Sequence, residues 1–183
     1  MYNLQGGIRA WQGVKVAGPP EMGLEFVKDM ETPEAIILFA SGMEERLGGF
    51  YTEASGKTGD AEAAQLLTKL AGIEEKHKGR LFELFRKITG THVDRPTFES
   101  KIVRGALEGG LSTEEYLERI MGKEHALEDV FSIAMMFEAQ AMDLYMRYSE
   151  EIKHQDAKKL FHDLAQQEKA HLTALGELMN RKA

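Results

Sequence analysis

Apolar residues recur at alternating spacings of three and four over long stretches of this chain, the period of an α-helix with one buried face. The pattern predicts four long helices. Thr32 fits an N-cap with Pro33 at the first helical position, and the first helix runs to residue 55, where Gly56 is the expected stop. Asp60 caps a second, which continues to residue 89 and ends at Gly90. The third covers residues 124–152, and Asp156 caps a fourth that continues almost to the C-terminus.

Residues 92–122 are less regular. Pro96 precedes a short helix, Gly109-Gly110 breaks it, and Ser112-Thr113-Glu114-Glu115 reads as a capping box opening another. Helices one and two, and likewise three and four, are separated by only a few residues, so each pair should form an antiparallel hairpin. More than 30 residues separate the second helix from the third, enough to cross the bundle. The expected fold is all-α: a four-helix bundle of two hairpins joined by a long crossover that contains short helices.

Residues 1–30 break the pattern. Met1 to Pro20 holds four glycines, the single tryptophan and a Pro-Pro pair, with no sustained period. This segment is read as an N-terminal arm, and residues 31–183 as one helical domain. Its stretch from Tyr2 to Trp11, with Leu4, Gly6, Gly7 and Trp11, resembles the closing segment of rhodanese-like domains. That resemblance spans about 20 residues and includes no active-site cysteine; a Gly-rich linker is the alternative reading.

The stripes repeat. Ile37, Ala40, Glu44, Leu47, Tyr51 and Ala54 line one face of the first helix; Phe131, Ala134, Glu138, Ala141, Tyr145 and Tyr148 line the third. The second presents Leu67, Leu70, Glu74, His77, Leu81 and Leu84, and the fourth Phe161, Leu164, Glu168, His171, Leu175 and Leu178. One offset of 94 positions relates both pairs, from 44 to 138 and from 74 to 168. A single Glu-x-x-His carries little information, since composition alone produces about one in such a chain. Two of them at the offset that also relates two Glu-x6-Tyr pairs, all mid-stripe, carry much more.

Two hairpins packed face to face bring Glu44, Glu74, His77, Glu138, Glu168 and His171 to one level. Four buried carboxylates repel one another, and burying each ion costs several kcal/mol. Two divalent cations balance the four charges. Glu at i and His at i+3 share a helix face, so both reach one metal. Carboxylate with imidazole suits iron, manganese or zinc better than calcium or magnesium.

At these residues the chain resembles the rubrerythrin and ferritin-like diiron carboxylate proteins, over about residues 32–180. The resemblance implies a ferritin-like fold and two iron ions, with Glu74 and Glu168 bridging them. It makes Glu44 and Glu138 terminal ligands and puts His77 on one metal and His171 on the other. Tyr51 and Tyr145 resemble the family's tyrosines beside the ligands, with plain core packing as the alternative. There are two departures. Rubrerythrins carry a further Glu one turn beyond the third-helix ligand, where this chain has Ala141, and a cysteine-ligated domain that this cysteine-free chain cannot build.

The expected function is therefore a redox enzyme that reduces hydrogen peroxide or dioxygen with an external electron donor. The alternatives are an iron-handling protein without turnover and a helical module without metal. The net charge of −7 and the lack of a basic stripe argue against nucleic acid as a partner. No window approaches the roughly 20 apolar residues of a membrane span. A cytoplasmic homo-oligomer, with a dimer favoured, is the expectation. Ser55-Gly56-Lys57-Thr58 follows a helix and is not read as a phosphate loop. His92, His125, His154 and His162 are read as solvated, and the ten methionines as core filler.

Overall fold

A computed structural model describes residues 32–102 and 127–182. Among them lie five helices and no strand: α1 (Pro33–Lys57), α2 (Ala61–Thr89), α3 (Arg95–Lys101), α4 (Leu127–Glu151) and α5 (Gln155–Lys182). The four long helices form the expected bundle. α1 packs along α2 and α4 along α5, and the hairpins meet through α1 against α4 and α2 against α5.

Local chemistry sets the boundaries. The Thr32 hydroxyl accepts from the Ala35 N–H at 3.2 Å, and Pro33 loses nothing there because its missing N–H had no helical acceptor. Asp60 accepts from the Ala63 N–H at 2.9 Å. Gly90 closes α2 at φ +64°, a conformation that a side chain would strain, and returns its N–H to the Arg86 carbonyl at 3.1 Å.

Three expectations need correction. Gly56 does not stop α1: the helix continues through Lys57 and ends at Thr58, whose N–H reaches the Ala54 carbonyl at 3.0 Å. Pro96 lies inside the first turn of α3, and Asp94 provides the cap by accepting from the Thr97 N–H at 3.0 Å. Asp156 lies within the first turn of α5, while Nδ1 of His154 accepts from the Ala157 N–H at 3.4 Å. A ring nitrogen thus takes the role usually given to Ser, Thr, Asp or Asn, so His154 is not simply solvated. The arm over residues 1–30, Gly109-Gly110, the capping box at 112–115, His125 and the start of α4 at 124 lie outside the described residues.

Every residue of the four stripes is buried. Phe50 is fully enclosed, edge-on to Tyr51 and to Phe137 with ring centroids 5.6 Å apart in both pairs. A buried phenylalanine of this kind stabilises a fold by about 3–5 kcal/mol relative to alanine. In the crossover, Phe98 of α3 packs against Phe82 and Phe85 of α2 at 5.1 Å. No helix among the described residues is long and apolar enough to cross a membrane.

Candidate metal centre

The helical stripes deliver all six acid and imidazole side chains to one place. Glu44 comes from α1, Glu74 and His77 from α2, Glu138 from α4, and Glu168 and His171 from α5, all essentially buried. Leu47, Leu70, Leu81, Leu164 and Leu175 follow or precede them by one turn and are equally buried, so bulk water is kept away from the polar layer.

Two overlapping clusters result. Nδ1 of His77 lies 3.3 Å from Glu44, 3.0 Å from Glu74 and 3.1 Å from Glu168. Nδ1 of His171 lies 3.2 Å from Glu74, 3.2 Å from Glu138 and 3.0 Å from Glu168. Within each cluster one ligand atom per residue lies within 4.8 Å of every other. Glu74 and Glu168 belong to both, each turning one oxygen to His77 and the other to His171. Glu44 serves only the first cluster and Glu138 only the second. The imidazole rings face each other with centroids 5.7 Å apart and planes 11° from parallel.

One ring nitrogen carries at most one proton. It cannot satisfy three carboxylate oxygens, and both oxygens of Glu74 and Glu168, with Oε2 of Glu138, are buried without a hydrogen bond. Buried polar atoms of that kind are costly. Two groups of three oxygens and one nitrogen, joined by two shared carboxylates, fit a pair of divalent cations.

The electrostatics divide the six groups unequally. Burial pushes Glu44 well above the ordinary carboxylate range, and the Glu168 charge adds to it. Burial likewise raises Glu138, against the pull of His171. Burial opposes the charge on Glu168 too, but contacts from His171 and His77 outweigh it and hold this carboxyl at about 2. Glu74 falls below its ordinary value on the same balance. Burial disfavours the imidazolium of His171, yet Glu138, Glu168 and Glu74 lift it to about 12; His77 is raised in the same way by Glu168, Glu44 and Glu74. Without metal the layer therefore favours charge on Glu74, Glu168 and the two imidazoles and resists it on Glu44 and Glu138.

Tyr51 and Tyr145 do more than pack. Tyr51 donates to Oε1 of Glu138, and Tyr145 to Oε1 of Glu44. Burial raises both phenols well above their usual value, with the facing glutamates adding to the shift, so both keep the proton they donate. Sequence reasoning missed one further contact: Nε2 of His77 lies 3.1 Å from Oε1 of Gln167. The internal repeat gives no hint of it, because the matching residue in the other half is Ile73. Gly56 and Lys57 are helical and Lys57 pairs with Glu53, so no phosphate loop forms there.

Comparison with known proteins agrees with this arrangement. The family model described as Rubrerythrin matches residues 35–179. That match begins after the N-terminal arm and lends its rhodanese-like resemblance no support. A solved structure of a hypothetical protein from Pyrococcus furiosus aligns with a TM-score of 0.62 at 20% identity, covering 84% of this chain and 93% of that one. At that identity the likeness concerns the fold. No curated protein matches the chain.

Proposed function

The chain belongs to the rubrerythrin family, and from that premise we propose that it is a non-haem diiron carboxylate enzyme that reduces hydrogen peroxide or dioxygen. The observation that carries the proposal is the pair of clusters sharing Glu74 and Glu168. Glu44, Glu74, Glu168 and His77 would hold one metal; Glu138, Glu74, Glu168 and His171 would hold the other. Iron in such a pair supplies two electrons, enough to convert one hydrogen peroxide and two protons into two waters. Manganese and zinc suit the same donors, but zinc has no redox chemistry to offer.

The protein's own part is to bind, orient and shelter. Tyr51 and Tyr145 fix the rotamers of Glu138 and Glu44 from the opposite hairpin. The leucine layers keep the centre dry, which strengthens each electrostatic contact inside it. In this reading an external donor supplies the electrons that restore the reduced form.

A second reading, an iron-handling protein without turnover, is favoured by one observation. Ala141 is fully buried where rubrerythrins place an additional glutamate. Metal analysis of protein prepared with iron, followed by anaerobic stopped-flow mixing with peroxide, separates the readings. The expected result is two irons per chain, oxidised by peroxide and reduced again by a donor over repeated cycles. Two irons that neither peroxide nor dioxygen oxidises would favour the metal-handling reading, and a chain that takes up no metal would end both.

A further inference from the structure

The two halves of the centre match at the six acid and imidazole residues and at the two tyrosines, but the two histidines differ at one contact. His77 directs Nδ1 toward Glu44, Glu74 and Glu168, while its Nε2 meets Oε1 of Gln167 at 3.1 Å. The orientation of that amide is itself fixed. Gln167 donates its Nε2 to the backbone carbonyl of Asp163 at 3.4 Å, which leaves the oxygen facing the ring. An imidazole donating from Nε2 to an amide oxygen keeps the lone pair of Nδ1 free for the three glutamates' side of the ring.

His171 has no such anchor among the described residues. The 94-residue offset places Ile73 where Gln167 stands in the other half, and an isoleucine side chain accepts no hydrogen bond. Among the described residues no hydrogen bond reaches Nε2 of His171. The ring is also slightly more open, 5% exposed against 0% for His77. A hydrogen bond to the distal ring nitrogen selects the tautomer, holds the ring plane and makes the coordinating nitrogen more basic.

We infer that Gln167 is a positioning residue that fixes His77 for metal binding and makes the His77 half the tighter of the two metal positions. The centre then fills in order, the His77 half first and the His171 half second. This rests on the reading of the six residues as a metal centre.

The test is a titration of the full metal-free chain with Zn²⁺, followed by calorimetry and by long-range ¹H–¹⁵N spectra of the histidine side chains. In the wild type the first equivalent should move the signals of His77, with its proton on Nε2, before those of His171. Gln167→Leu should weaken the first step by about 10–100-fold and leave the second unchanged. Gln167→Glu keeps an acceptor and should preserve the order. Ile73→Gln should tighten the second step. Unchanged affinities and filling order in Gln167→Leu would overturn the inference. So would an equal loss at both positions accompanied by a lower melting temperature without metal, the mark of a merely structural role. A wild-type chain that takes up no zinc would instead overturn the metal centre itself.

Discussion

Tyr145 in α4 donates its hydroxyl proton to Oε1 of Glu44 in α1, and Tyr51 in α1 returns the same bond to Glu138 in α4. Each hairpin therefore orients a glutamate of the other. Removing the Tyr145 hydroxyl strips Oε1 of Glu44 of its donor, and removing that of Tyr51 leaves Oε1 of Glu138 with His171 alone. Tyr51→Phe and Tyr145→Phe should each lower stability by about 1–3 kcal/mol, read as a shift in the urea midpoint at unchanged slope. A midpoint unmoved in both variants would show that these bonds add nothing to the fold.

Metal should change the pH dependence of stability. Without it, His171 is lifted to about 12 and His77 is raised too. A histidine raised in the folded state contributes stability that is complete below its unfolded value, about 6.5. That stability is lost as pH climbs toward the folded value, so the metal-free chain should weaken between pH 7 and 9 by at least about 1.4 kcal/mol per pH unit. Loading displaces the protons of the two raised imidazoles, so metal should stabilise the chain increasingly over the same interval. Calorimetric melts with and without metal, and proton release on loading in weakly buffered solution, check this. Parallel pH profiles in the two states would contradict it.

Glutamates at the centre should not be interchangeable. Burial and the Glu168 charge disfavour the ionised form of Glu44, so Glu44→Gln replaces a carboxyl whose charge the fold resists with a neutral amide of the same shape. Its metal-free melting temperature should stay near wild type while metal uptake falls. Glu168 is held at about 2 between two imidazoliums. Glu168→Gln leaves those charges short of a partner and should destabilise the metal-free chain by about 3–5 kcal/mol. Equal metal-free melting temperatures for the two variants would show that the charge is not divided in this way.

Coordination should stay fixed through the redox cycle. Ala141 offers no ligand, and Asp143, the next acid of α4, lies on the face opposite the stripe in an ion pair with Arg147 at 2.8 Å. Structures of the reduced and oxidised iron-loaded protein should both keep His77 and His171 on the metals. Release of either histidine in one of the two forms would show that another ligand reaches the centre.

Periodicity and spacing alone determined the four long helices, the hairpin–crossover–hairpin order and the burial of all six acid and imidazole side chains. These properties are local. A stripe at helical spacing must be covered, caps act within one turn, and the 94-residue offset in the chain reports two similar halves without any knowledge of their contact. The helix ends were read less well, because Gly56 stays helical when its neighbours do and His154 caps by an unusual atom. Only the tertiary structure decided which tyrosine serves which glutamate, that burial raises Glu44 and Glu138 while the imidazoles lower Glu74 and Glu168, and that Gln167 meets His77. Those facts depend on which helix faces which and at what height. The distances between groups far apart in sequence set both the hydrogen bonds and the charges, and no spacing along one chain contains them.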